Sequence, residues 1–295
     1  MDGFLVVNKP SGITSFAVVA RVRRLSGEKR VGHTGTLDPL AGGVLPLCLG
    51  KATRVVDYMT TGTKLYRAEM RLGLATDSGD IEGEPVSRGD WTDIGREAIE
   101  AALSGFRGVI AQTPPMFSAR KHHGQRLYTL ARAGITVERT PAEVTISRLE
   151  LISFDSPTLT LEVGCSRGTY IRSLATDLGQ HLGCGACLSG LTRLRDGVFE
   201  INDALSLEEV EDLAGSGRLA HVLKPIDCGL GEYPAVTIPE EMVSKVRGGQ
   251  LISLEVTSQP GLCRAYTEDG RLLAMLRFEA ESGQWHPEKV FIRDA

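Results

Sequence analysis

The sequence predicts an α+β protein that ends in a small β-rich unit. Three observations carry this expectation. Strand-like segments at 143–154 and 158–164 follow one another directly; helical spacing appears at isolated places; and Lys-Pro, Cys-Gly and Tyr-Pro pairs crowd residues 224–235 ahead of several short strands. Repeated strand–helix alternation is missing, which argues against a doubly wound parallel sheet. At 295 residues and 42% hydrophobic content, the chain has enough apolar material for one large domain or two.

Phe4 to Val7 reads as the first strand, ended by Lys9-Pro10-Ser11-Gly12. Thr14 or Ser15 caps a helix that carries Val18, Val19, Val22 and Leu25 inward, and Gly27 closes it. Arg21, Arg23 and Arg24 fall on or near its outer face. Tyr66 to Leu74 alternates polar and apolar residues, as a half-buried strand does. A helix is expected over 94–104, with Ile94, Ala98, Ala101 and Ala102 as a weak apolar stripe. Residues 111–126 hold two prolines, few large apolar side chains and a basic run containing histidine, which predicts an exposed loop; 127–133 then returns as helix. Ile171, Leu174, Ala175, Leu178 and Leu182 fit a helix over 169–182. The composition shift places a domain boundary between 228 and 229. Beyond it, Pro239-Glu240-Glu241 opens a helix that Lys245, Arg247 and Gly248 close, and Asp269-Gly270 marks a hairpin.

A net charge of −4 does not advertise a nucleic-acid partner, but its distribution does more. Residues 101–137 contain five cations and no acid, 163–176 contain Arg167 and Arg172 and no acid, and 196–213 contain seven acids and no base. Such segregation lets an acidic protein present a positive face to phosphates. No apolar run approaches the roughly 18 residues of a membrane span. Six cysteines in a long chain without a secretory signal are expected to be reduced thiols in the cytoplasm.

The segment Gly32-His33-Thr34-Gly35-Thr36-Leu37-Asp38-Pro39-Leu40-Ala41-Gly42-Gly43-Val44 concentrates the chemistry. Asp38 is the only acid between Glu28 and Asp57, with Lys29, Arg30, Lys51 and Arg54 around it in sequence. Glycines allow close backbone approach, and a proline stiffens the turn that displays the acid. On local chemistry alone, an Asp-Pro turn bonded to its own backbone is the favoured account of the segment. Gly164-Cys165-Ser166-Arg167-Gly168 matches a serine-hydrolase nucleophile elbow, with His181, His221 or His286 as conceivable partners. Cys184 and Cys187 lack the second ligand pair that zinc needs, and adjacent His122 and His123 are badly placed to converge on one ion.

Six ordered blocks change the weighting. Lys9-Pro10-Ser11-Gly12-Ile13-Thr14-Ser15, the 32–54 segment, Lys64-Leu65-Tyr66-Arg67-Ala68 with Leu72-Gly73, Thr76-Asp77, Asp80 and Gly83, Thr113-Pro114-Pro115-Met116-Phe117-Ser118-Ala119 with Lys121, Gly124, Leu127-Tyr128 and Ala131-Arg132, Gly168-Thr169-Tyr170-Ile171-Arg172, and Leu191-Thr192-Arg193 with Gly197 follow in sequence. Together they resemble the TruB-type tRNA pseudouridine synthases, in their stand-alone bacterial form. The resemblance implies a mixed, mostly antiparallel central sheet with flanking helices over 1–228, an RNA-binding insert at about 109–141, and a PUA-type RNA-binding β-barrel over 229–295. It implies isomerisation of uridine 55 in the tRNA T-arm after base flipping, with no cofactor and no metal. Asp38 becomes the essential carboxylate and Arg172 its ion-pair partner. Tyr66 stacks on the uracil and assists loss of the C5 proton. His33 props the loop, Tyr170 and Leu191 line the base pocket, Lys9 and Pro10 support the loop, and Arg120, Lys121 and Arg132 hold RNA. The implied partner is the tRNA T-arm stem-loop, bound by a monomer with no membrane and no obligate protein partner. A non-catalytic RNA-binding or RNA-folding protein, and the serine hydrolase, are the alternatives.

Overall fold

The computed structural model describes residues 1–59, 62–118, 120–122, 124–254 and 261–292. Its first elements are β1 (Gly3–Lys9), α1 (Ser15–Ser26), β2 (Val31–His33), β3 (Ala41–Leu49), β4 (Lys64–Leu72), β5 (Leu74–Thr76), β6 (Pro85–Arg88) and α2 (Arg96–Ser104). There follow β7 (Gly108–Gln112), β8 (Lys121–His122), β9 (Gln125–Arg126), α3 (Leu127–Arg132), β10 (Ala142–Asp155), β11 (Thr158–Cys165), α4 (Ile171–His181), β12 (Ala186–Asp196) and β13 (Phe199–Glu200). The C-terminal part adds α5 (Leu207–Gly215), β14 (Ala235–Thr237), α6 (Glu240–Arg247), β15 (Leu262–Tyr266), β16 (Leu272–Glu279) and β17 (Gln284–Val290).

The central sheet runs β1-β3-β12-β4-β11-β10-β7, with β2 and β13 paired at its side. Every neighbouring pair is antiparallel except β3 with β12, which is parallel, so the sheet is mixed and mostly antiparallel. β1 and β3 are buried on both faces. Leu5, Val7, Leu45, Leu47 and Leu49 enter one apolar cluster with α1 and α4, while Phe4, Val6, Val44 and Cys48 enter a second cluster. Side chains alternate across a strand, so double burial accounts for the unbroken apolar runs 4–7 and 44–49. β4 instead buries Tyr66, Ala68, Met70 and Leu72 and exposes the residues between them.

Local rules explain the helices. Thr14 caps α1 by accepting from the Ala17 N–H at 3.1 Å, and Gly27 ends it in the left-handed conformation. In α2 the buried residues are Ile99, Ala102 and Leu103; Ala98 and Ala101 face solvent, so the expected stripe is corrected by about one residue in phase. At the end of α6 Gly248 keeps a right-handed backbone and Gly249 takes the left-handed one.

The expected exposed loop at 111–126 is also corrected. Gln112, Pro114, Met116 and Ser118 are buried, because this stretch is bolted to α4. Gln112 donates from Nε2 to the Tyr170 carbonyl (3.0 Å) and accepts from the Tyr170 N–H (2.7 Å), while the Ser173 hydroxyl donates to the Thr113 carbonyl (2.8 Å). Only the outer part, with the short β8–β9 pair and α3, stands away from the sheet.

After residue 230 the chain forms its own sheet, β14-β15-β16-β17, with α6 packed on it. This unit docks on the far face of the central sheet: Leu230, Met275 and Phe291 share one apolar cluster with Phe4, Val44, Tyr58 and Phe199. No helix among the described residues is long and apolar enough to cross a membrane.

Candidate active site

Asp38 sits in the loop joining β2 to β3, beneath the N-terminal end of α4. Its Oδ2 lies 2.8 Å from Nη2 of Arg172, with the Asp38 side chain 43% exposed and that of Arg172 only 6%. Arg172 is the second residue of α4, and every edge of its guanidinium is engaged. Nη1 donates to the Ser78 carbonyl (3.0 Å), Nη2 also donates to the Phe117 carbonyl (2.7 Å), and Nε lies 3.7 Å from Asp80 Oδ2. Asp80 is itself fixed by the Ser78 hydroxyl (2.7 Å) and the Glu82 N–H (3.2 Å). A planar, permanently charged fork held at three points presents one remaining direction to Asp38, which orients the carboxylate and favours its charge.

The loop is tied at its base from two sides. Lys9, 1% exposed, donates from Nζ to the carbonyls of Pro10 (2.9 Å), Ile13 (2.6 Å) and Pro39 (3.3 Å). Burial brings the Lys9 ammonium down to about 8, with Asp38 pulling the other way. Pro10 is exposed and supplies only its carbonyl to this knot. On the other side Arg193, fully buried, donates from Nε to the Val44 carbonyl (2.7 Å) and from Nη2 to the Gly35 carbonyl (3.0 Å), spanning both ends of the loop. Its charge is met by Asp196 Oδ2 at 3.6 Å, which also accepts from the Thr34 hydroxyl at 3.1 Å. Residues three apart on a regular strand face opposite sides; the register shift between Arg193 and Arg195 lets these two side chains meet. Gly43 takes a left-handed φ of 94°, and a Cβ there would lie 2.2 Å from the Arg193 carbonyl oxygen, so only glycine permits the parallel approach of β3 to β12.

Tyr66 lies on β4 opposite Arg193 and is 6% exposed; burial pushes its phenol up to about 12. Half-buried Leu191 on β12 pairs with Ala41 and Ala68, and half-buried Tyr170 caps the start of α4. His33, at the end of β2, is half-buried, and burial first and the Arg193 charge second lower its pKa. In the insert, the guanidinium groups of Arg126 and Arg132 lie 5.9 and 5.7 Å from the Tyr128 ring centroid. Arg120 is exposed; the backbone of Lys121 pairs with Arg126, and the side chain of Lys121 lies outside the described residues.

The structure thus brings Asp38, Arg172, Lys9 and Pro10 into one connected arrangement and puts Arg120 and Arg132 apart from it on the insert. Sequence reasoning assigned no role to Asp80, Arg193, Asp196 or Gln112, and named Ser15 only beside Thr14 as a helix cap. Asp80 and Arg193 stood inside the quoted motifs, which was the available signal. Ser166 is used by the backbone, its hydroxyl accepting from the Thr145 N–H at 2.9 Å beside an antiparallel pair, and His181 packs edge-on against Phe106.

A family model described as TruB family pseudouridylate synthase (N terminal domain) matches residues 23–171, and one described as tRNA pseudouridylate synthase B C-terminal domain matches 172–230. The chain belongs to the TruB family. A TruB-family protein of Dehalococcoides mccartyi named tRNA pseudouridine synthase B is 46% identical over 295 residues, covering 100% of this chain and 98% of that one. A protein of Clostridium kluyveri with the same name is 43% identical over 280 residues, covering 93% and 95%. Among solved structures, a Cbf5-Nop10-Gar1 complex contains a chain that is 26% identical and superposes with a TM-score of 0.75, covering 99% of this chain and 85% of that one. The TruB fold is therefore that of the pseudouridine synthases.

Proposed function

We propose that this chain isomerises uridine 55 in the T-arm of tRNA to pseudouridine. The observation that carries the reading is the Asp38–Arg172 pair, a half-exposed carboxylate aimed by a buried, fully engaged guanidinium, in a chain that is TruB-like from end to end. The reaction breaks the N1–C1′ bond, turns the uracil and rejoins it through C5, which gives up its proton. Atoms are conserved overall, so the chemistry asks for a placed carboxylate and a shielded base. Asp38 acts on the sugar or base of a nucleotide extruded from the stacked T-arm. Arg172 holds it in place, and Asp80 holds Arg172.

Tyr66 offers its ring as the stacking surface, with Leu191 and Tyr170 at the sides of the pocket. Burial pushes the Tyr66 phenol up to about 12, so Tyr66 meets the uracil as a neutral phenol, and its help with the C5 proton starts from that form. His33 fills the gap beside the loop. Arg120, Lys121 and Arg132 on the insert, at about 109–141, take phosphates of the stem-loop. We read 1–228 as the catalytic domain and 229–295 as an RNA-binding module of PUA type, the whole acting as a cytoplasmic monomer on tRNA.

Unmodified T-arm RNA incubated with the purified chain should acquire pseudouridine at one position. Asp38→Asn keeps the side-chain size and removes the charge; it should abolish turnover and leave RNA affinity within a few-fold. Equal turnover by Asp38→Asn and the parent would end the assignment. A parent that binds the RNA and leaves every uridine intact would favour the binding-only alternative.

A further inference from the structure

Behind the catalytic loop lies a cavity of about 470 Å³, lined by Thr34, Lys64, Arg167, Asp196 and Glu232 together with glycine backbone from 197, 229 and 231. That volume suits a nucleotide-sized group. Of the acids, Asp196 is committed to Arg193 and Thr34, and Glu232 has an interaction of its own. The cations are less tightly held, although Asp196 acts on Lys64 through its charge. Among the described residues, the side chains of half-buried Lys64 and exposed Arg167 make neither a hydrogen bond nor a close ion pair. Arg193 Nη1, buried directly behind the Gly35 backbone beside Lys64 Nζ, also has no partner there. A partly desolvated ammonium is costly: burial lowers the Lys64 pKa, and Asp196, shared with Arg193 and Thr34, offsets this only in part. An anion entering the cavity removes that cost.

Position identifies the anion. Lys64 and Tyr66 stand on the same face of β4, two residues and roughly 6.6 Å apart. Thr34 opens the loop that carries Asp38. The cavity therefore adjoins the place assigned above to the target uracil, at about the reach of one unstacked nucleotide.

We propose that this cavity receives a backbone phosphate next to the target uridine, with Lys64 as its principal ligand and Arg167 closing over it. The proposal rests on the RNA-modifying reading of the same site. It is tested with unmodified T-arm stem-loops carrying a single methylphosphonate at each linkage around the target in turn. For the parent, one neutralised linkage should weaken binding roughly ten-fold. Lys64→Met, which keeps the aliphatic stem, should weaken binding of the all-phosphate RNA by a similar factor and show no further loss at that linkage, while Lys64→Arg restores the parent pattern. Arg167→Gln, at an exposed position, gives the same non-additive signature should Lys64→Met fail to fold. Parent-like binding by Lys64→Met and Arg167→Gln, or full additivity at every linkage, overturns the proposal. So does Lys64-dependent binding of inorganic phosphate alone with no linkage signature, which marks a free-anion site. A linkage signature without any pseudouridine formed by the parent leaves the phosphate site standing and removes the catalytic reading.

Discussion

The side chain of Ser15 and the backbone of Leu37 exchange two hydrogen bonds, each 2.9 Å long: the hydroxyl donates to the Leu37 carbonyl and accepts from the Leu37 N–H. The first residue of α1 thereby does for the residue before Asp38 what a neighbouring strand would do, and both groups are buried. Ser15→Ala leaves an N–H and a C=O without partners, which costs about 1–3 kcal/mol. Urea denaturation should register that loss, and single-turnover rates should fall more than RNA affinity does.

Arg172→Lys tests whether the fork or only the charge matters. An ammonium cannot satisfy Ser78, Phe117, Asp80 and Asp38 from one plane. The chemical step should slow roughly a hundred-fold or more, as when a preorganised contact is lost at a reacting group. Rapid-quench kinetics with saturating enzyme separates this from binding; a defect confined to affinity would contradict the positioning role.

Arg193→Met takes the buried donor from the Val44 and Gly35 carbonyls and leaves the Asp196 carboxylate without its arginine. Removing one partner of a buried pair costs about 3–5 kcal/mol. Asp196→Asn in the same chain should recover part of that loss, since the neutral amide no longer needs the cation. Thermal and denaturant unfolding of the two single variants and the double variant measure the coupling.

Much of this was legible because it is local. Thr14 and Gly27 bound α1 through capping rules that involve only their neighbours, and the double burial of β1 and β3 is written in their unbroken apolar runs. Arg193 shows the opposite case. An arginine in a strand reads as solvated; its burial depends on a bulge beside it and on carbonyls contributed by 35 and 44. The insert was misread for a similar reason: polar, proline-rich sequence hides the amide clasp between Gln112 and Tyr170, residues 58 apart in the chain. The motifs located Asp38 and Arg172, but the hydrogen bonds from Arg172 to Ser78 and Phe117 are visible only in three dimensions.

His33 predicts a pH effect of definite sign. Its folded pKa is depressed below the ordinary 6.5, chiefly by burial, so the unfolded chain takes up the proton first as pH falls. The full contribution is present above about 6.5, and stability declines below that value as the unfolded state binds the extra proton. Replacing the residue, as in His33→Gln, should flatten this part of the profile. Denaturation midpoints of both proteins across the acid range check it; parallel profiles would refute the assignment.

Val44 joins two halves of the molecule. Its carbonyl anchors Arg193 at the edge of the catalytic loop, while its side chain lies in the apolar cluster shared with Leu230, Met275 and Phe291. Arg54 reinforces that seam by donating to the Val290 carbonyl at 2.6 Å, and Tyr58 by donating to Glu288 at 2.9 Å. A chain cut near residue 230 would expose a greasy patch on the back of the catalytic sheet and unclamp the loop's rear anchor in one stroke. Loss of turnover after such a deletion therefore reports a damaged scaffold, and the contribution of the terminal module to RNA capture has to be read from point changes on its outer surface.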